Sequence, residues 1–196
     1  MLERVCRSPR PSRPAPSADE AFGARVGRLA IRSLYREVAI DGKPGLVGPS
    51  GSGSHPDMNF ATFLRSLQAL RGYFPAIAAC GLRRPDFVPL QRLGIDAEAS
   101  MLAATGGVNT HRGAIFNLGL LCAALGVLRA DGAAPDVDAA CAVVGQHWGA
   151  AIREGLTAAQ AASTPLSHGL FVARRDGSGG ARQEAASGFP AARCIG

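Results

Sequence analysis

The residues best able to do chemistry lie in a few short stretches, each beside an apolar segment. The most specific is Thr105-Gly106-Gly107-Val108-Asn109-Thr110-His111-Arg112-Gly113, directly before the longest apolar run of the chain. Two glycines, an N-capping Asn or Thr and a His-Arg pair at a helix start are the parts of an anion site, because uncapped amides and the helix dipole both favour negative charge there. The plainer alternative is an ordinary helix–helix turn with a good cap. Arg112 fits that alternative poorly, since a cation at a helix N-terminus is unfavourable unless an anion accompanies it.

A second stretch runs from Lys43-Pro44-Gly45-Leu46-Val47 to Gly51-Ser52-Gly53-Ser54-His55-Pro56-Asp57-Met58. Its glycines permit a backbone path that turns several N–H groups toward one point, as phosphate-cradling loops do. No Gly-Lys-Ser/Thr follows them, so this is not a Walker loop, and Ser52 stands where a nucleophile elbow needs its last glycine. The alternative is a flexible linker ending in a capping box, Ser54-x-x-Asp57. Lys43 is the sole lysine beside 20 arginines, which favours a particular role for it. Glu98, on a helix, shares a face with Ile95 and Leu102. A carboxylate there is costly unless paired, hydrogen-bonded or metal-bound, or unless that face turns to solvent. Ser167-His168-Gly169 and Glu184-Ala-Ala-Ser-Gly-Phe-Pro190 are weaker candidates, and His147 beside Trp148 reads as packing.

Helices must position these residues. Ala, Leu and Val dominate the 47% hydrophobic composition, and aromatics are 6%, a balance that favours helix over sheet. Helical spacing predicts a helix over 19–40, with Phe22, Val26, Leu29, Ala30 and Leu34 inward. It predicts another over 57–79, with Phe60, Phe63, Leu64, Leu67 and Leu70 inward. Pro85 and Pro89 open a third, which breaks at Thr105-Gly106-Gly107. The apolar helix follows Thr110, and Gly119 and Gly126, seven apart, leave a flat strip for a close neighbour. Residues 136–153 and 157–162 are also expected to be helical. The resulting expectation is an all-α, multi-helix orthogonal bundle with Gly-rich functional loops, spanning 19–196 behind a disordered Arg/Pro/Ser-rich leader, 1–18.

Composition also excludes classes. At 18% charged, the chain has apolar material enough for a core and is not wholly disordered. The formal charge of +6 suits a polyanionic ligand, but the arginines are scattered and form no nucleic-acid tail. Cys6, Cys80, Cys122, Cys141 and Cys194 are odd in number, without a C-x-x-C pair, so neither a disulfide framework nor a zinc site is expected, and the cytoplasm is the default compartment. Cys122 and Cys141 read as small buried residues. Residues 113–128 would span roughly 24 Å as a helix, short of a ~30 Å hydrocarbon core, so no membrane span is expected.

Taken in order, Lys43-Pro-Gly-Leu-Val, Gly53-Ser-His-x-Asp-Met58, Ala97-Glu98-x-x-Met101, Ala104-Thr-Gly-Gly-Val-Asn-Thr-His-Arg-Gly-Ala-Ile-Phe116, Ser167-His-Gly169 and Glu184 to Pro190 resemble the triphosphoribosyl-dephospho-coenzyme A synthase family. The likeness covers roughly residues 19–190. It implies a helical transferase that joins C1′ of the ATP ribose to the 2′-hydroxyl of 3′-dephospho-coenzyme A, keeps the triphosphate and releases adenine. The product would serve a downstream acyl-carrier-protein transferase of malonate decarboxylase or citrate lyase. For that reaction, residue chemistry makes Lys43, Ser54, His55, Thr105, Gly106, Gly107, Asn109, Thr110, His111, Arg112 and Glu184 the candidate phosphate or nucleotide contacts. Asp57 and Glu98 would bind Mg²⁺, or one of them would accept the proton of the incoming hydroxyl. Two departures stand out: an Asp replaces the family's Tyr-Gly-type segment around residues 176–180, and family members continue through further helices beyond the position of Pro190. The second departure leaves an inactive homologue, binding nucleotide or a partner at most, as the alternative expectation.

Overall fold

The computed structural model describes residues 15–161 and 180–195, and among these the regular structure is helical, without strands. The expected residues 1–14 of the leader, the Ser167-His168-Gly169 motif and residues 176–179 lie outside the described residues. Helix α1 (Ala18–Ala39) starts at a reciprocal cap. Ser17 Oγ accepts from the Glu20 amide, and the Glu20 carboxylate accepts from the Ser17 amide. The inward face of α1 is Gly23, Val26, Gly27 and Ala30, and Leu29 is half-exposed, contrary to the sequence reading. The reason is the neighbour: Gly23 and Gly27 lie against Pro75 so closely that a side chain at Gly27 would overlap its ring.

The expected second helix divides in two. Helix α2 (Phe60–Ala69) starts later than predicted, at Asn59 and not at Ser54. Asn59 Oδ1 accepts from the Thr62 amide at 3.1 Å, and Thr62 Oγ1 accepts from the Asn59 amide at 3.3 Å. A 3₁₀ turn at Leu70–Gly72 then leads into α3 (Tyr73–Gly81). Pro75 explains the break, because it lacks the N–H that a continuous helix would bond to Arg71. On α2 the buried residues are Thr62, Ser66 and Leu67, and Leu64 faces outward.

Helix α4 (Phe87–Thr105) and α5 (Arg112–Ala130) match the expected elements. The flat strip on α5 is used as predicted. A side chain on Gly119 would collide with the Tyr73 hydroxyl, and one on Gly126 with the Ala78 carbonyl. So α3 lies tightly against α5 on one side and α1 on the other, at the centre of the bundle. By length and composition α5 could cross a membrane, yet half of it is buried among α1, α3, α4 and α6. It is the core helix of this fold. Helix α6 (Val137–Val143) continues through a π-helical turn, Val144–Trp148, into α7 (Gly149–Ala161). The turn buries Trp148, whose Nε1 donates to the Pro85 carbonyl, while His147 stays exposed beside it. Helix α8 (Gly180–Ala186) and α9 (Pro190–Ile195) close the described part. Cys80, Cys122, Cys141 and Cys194 are free thiols, and Cys122 and Cys141 are buried as expected.

Candidate functional site

The site is built where the end of α4 meets the start of α5. Thr105, buried at the last position of α4, donates its hydroxyl to the Met101 carbonyl at 2.9 Å and also lies 2.6 Å from the Val108 carbonyl. Gly106 (φ 71°) and Gly107 (φ 90°) then turn the chain through the left-handed region, which glycine enters without strain. Both of their amides donate to the Leu102 carbonyl. This corrects the expectation that these amides face a phosphate: they close the C-terminus of α4. Thr105 is likewise engaged in shaping the loop.

Beyond the glycines the polar groups are less fully engaged. Asn109 Oδ1 accepts from the Arg112 amide at 3.1 Å and so caps α5. His111 is 5% exposed, its amide donating to the Met101 sulfur and its Nδ1 2.7 Å from Ser66 Oγ. The Phe63 ring meets it edge-on, with centroids 5.0 Å apart. Burial drives the histidine pKa from its ordinary 6.5 down to about 4, against the opposing field of Glu37. Thr110 Oγ1 and His111 Nε2 are both buried without a hydrogen-bond partner among the described residues, as is Asn117 Oδ1 further along α5. Native proteins rarely leave such groups unpaired. Three of them on one short segment mark this corner apart from the rest of the core.

Arg112 and Glu98, two separate candidates in the sequence, form an ion pair with each other. This accounts for the cation at the helix start. It also revises the reading of Glu98, whose face is not an apolar stripe: Ile95 is 61% exposed, and α4 buries Leu90, Ala97, Met101 and Thr105 instead. Lys43 turns back on α1, with Nζ 2.6 Å from the Glu37 carbonyl and 2.7 Å from Glu37 Oε1. It caps α1 and holds Glu37, whose field reaches His111. Thus Glu98 and Asn109 both engage Arg112 at the α5 N-terminus, beside Thr110 and His111, whereas Lys43 bears on this corner only through the field of Glu37.

Ser54, His55 and Asp57 sit in exposed or half-exposed turns, and among the described residues their side chains make no hydrogen bond or ion pair to this cluster. Glu184 caps α9, accepting from the Ala191 amide at 2.6 Å. It nonetheless borders an open groove of about 720 Å³ that starts at Gly113 and Ala114 in the first turn of α5. Asn117 lines that groove, with Leu118, Leu121 and Phe189 as apolar wall. A larger cavity of about 1010 Å³ lies between α1 and α2, lined by Arg25, Arg28, Arg32 and Arg71, and none of the expected site residues reaches it. Sequence reasoning missed Ser66, Glu37 and Asn117. Ser66 had a readable signal, a serine three residues after Phe63 and four before Leu70 on an otherwise apolar face.

These motifs coincide with a known family profile, described as CitG, ATP:dephospho-CoA triphosphoribosyl transferase, which matches residues 23–196. The chain belongs to this family. It is 42% identical over 170 residues to a 2-(5″-triphosphoribosyl)-3′-dephosphocoenzyme-A synthase of Klebsiella pneumoniae, covering 84% of the chain and 57% of that relative. It is 40% identical over 165 residues to a probable synthase of the same name from Acinetobacter calcoaceticus, covering 84% and 55%. A probable synthase from Pseudomonas fluorescens is 39% identical over 188 residues, covering 93% and 60%. The chain thus spans between half and two thirds of the length of these relatives. No solved structure matches it.

Proposed function

We propose that this member of the family transfers the 5-triphosphoribosyl group of ATP to the 2′-hydroxyl of 3′-dephospho-coenzyme A. The new bond joins that oxygen to the ribose C1′, the bond from C1′ to adenine breaks, and adenine leaves with the hydroxyl proton. The observation that carries the reading is the α5 N-terminus, where Thr110 and His111 hold buried polar atoms without partners among the described residues. A nucleotide supplies the many acceptor oxygens that such a corner lacks, and the helix dipole favours its charge.

The displacement develops positive charge at C1′ and negative charge on the departing base. Arg112 and the first-turn amides of α5 would face the triphosphate, and the apolar wall of the neighbouring groove would exclude water from part of the acceptor. Glu98, released from Arg112 when phosphate takes its place, would stand ready to accept the hydroxyl proton. Asp57 is the alternative base.

Mg²⁺ would enter with ATP. Among the described residues no three His, Cys, Asp or Glu side chains gather into a metal cage. That suits an ion which binds through one or two carboxylates plus substrate phosphates. Glu98 and Asp57 offer oxygen donors of the right hardness, and the ion would neutralise phosphate charge. The cytoplasm, as the compartment of ATP and dephospho-coenzyme A, and a downstream acyl-carrier-protein transferase belong to the same proposal.

The test is adenine release from ATP and Mg²⁺, followed by chromatography with and without dephospho-coenzyme A. Acceptor-dependent adenine supports the transferase. Folded protein that binds ATP and yields no adenine would leave a nucleotide-binding homologue without turnover.

A further inference from the structure

Ser66 is fully buried on α2, and its Oγ lies 2.7 Å from His111 Nδ1. Two proton arrangements fit this distance. If Ser66 donates to Nδ1, the ring proton sits on Nε2, and a single group, the Nε2–H, lacks a partner. If Nδ1–H donates to Ser66, the serine hydrogen and the Nε2 lone pair are both stranded, because Ser66 makes no other side-chain hydrogen bond among the described residues. One orphan costs less than two, so the first arrangement prevails.

The surroundings agree. Phe63 packs edge-on to the ring, Met101 receives the backbone amide, and neither offers an acceptor to Nε2. Glu37 on α1 is the charged group whose field reaches the ring, and its carboxylate is held by Lys43. Thr110, one residue earlier, adds a second buried hydroxyl without a partner among the described residues.

We infer that Ser66 is a positioning residue that fixes His111 as its Nε2–H tautomer, making the histidine a neutral hydrogen-bond donor to an acceptor atom of the nucleotide and not a general base. The inference rests on the reading of the α5 N-terminus as the nucleotide end of the site. It names the chemistry wanted there: oxygens or ring nitrogens with lone pairs, of which a triphosphoribosyl nucleotide has many. It also assigns the proton-accepting role to a carboxylate by difference.

Long-range ¹H–¹⁵N spectra of histidine-labelled protein test this, with His111→Gln used to assign the signals. Wild type is expected to show His111 protonated on Nε2, and Ser66→Thr, which keeps the hydroxyl, to preserve that pattern. Ser66→Ala is expected to give mixed tautomers and to weaken binding of Mg·ATP in proportion to the fraction of His111 that leaves the Nε2–H form, about twofold for an even mixture. Adding Mg·ATP to wild type should shift the Nε2–H resonance. An Nδ1–H tautomer in wild type, an unchanged pattern in Ser66→Ala, or an Nε2–H resonance that saturating Mg·ATP leaves in place would overturn the inference. The wild-type spectrum decides the tautomer even if Ser66→Ala fails to fold. Absence of adenine release with a ligand-shifted Nε2–H would sink the transferase reading and leave this one standing.

Discussion

Residues 41–59 and 105–111 both link helices through glycines with positive φ, and both read in sequence as phosphate-binding loops. They use their polar groups in opposite ways. The first loop satisfies itself on the surface: Lys43 bonds Glu37, Ser50 donates to Asp41, and Gly48 and Gly51 exchange backbone bonds. The second engages its glycine amides and Thr105 in turning the chain, then leaves the buried atoms Thr110 Oγ1 and His111 Nε2 without a partner among the described residues. A self-satisfied loop holds a fold together, whereas a buried orphan has a standing demand for a partner. The difference locates the candidate chemistry in the second loop and gives the first a supporting task.

The largest expected effect comes from the burial of His111. Its folded pKa of about 4 lies below the ordinary 6.5, so between these values the unfolded chain binds a proton that the folded chain refuses. Stability is therefore complete above pH 6.5 and falls as the pH drops toward 4. The loss is on the order of 3 kcal/mol across that window. Urea unfolding at pH 7, 5.5 and 4.5 measures it, and His111→Gln should flatten the dependence there. Equal slopes in wild type and His111→Gln would mean that the ring is not the buried neutral group described here.

Next in size is Thr105→Val, which keeps the shape and removes the hydroxyl that ties Met101 to Val108. Losing these bonds, of which only the one to Met101 is buried, should cost about 1 kcal/mol in urea unfolding. Weaker Mg·ATP binding should accompany it, because the loop presents Thr110 and His111. A variant with full stability and altered nucleotide affinity would instead make Thr105 itself a ligand contact, blurring the contrast between the two halves of this loop.

Much of this fold was legible in sequence for a physical reason. Helices α1, α4 and α5 are long and periodic, and their ends carry caps or glycines at Ser17, Gly106 and Asn109. The flat strip of Gly119 and Gly126 was readable because only a close neighbour requires it. Helices α2 and α3 merged in the reading because the apolar spacing runs through Pro75, and periodicity does not register a missing N–H. The inward faces of Leu29 and Leu64 were misplaced since the glycine face of α1 sets how the helices meet, which is a tertiary fact. For the site, residue type singled out the segment before α5 as a candidate, and spacing could not say which groups were already taken. That Arg112 pairs with Glu98, or that Lys43 caps α1, depends on contacts that spacing along one helix does not encode.

Lys43→Met sharpens the comparison with the smallest effect. The ammonium bonds Glu37 and an α1 carbonyl, and Glu37 is more than half exposed, so losing the pair should cost below about 1 kcal/mol. If the first loop is a support and not a ligand site, Mg·ATP affinity should change less than about twofold, far short of the tenfold that about 1.4 kcal/mol of lost contact brings. One further consequence ties the loops together. Without its lysine, Glu37 turns a barer negative charge toward His111, which favours the protonated ring and moves the acid transition of His111 to higher pH. Histidine spectra followed from pH 7 to 4 in wild type and Lys43→Met read that displacement directly. A transition that stays in place would separate the two loops electrostatically, and a collapse of nucleotide binding would return Lys43 to the phosphate site that the sequence first suggested.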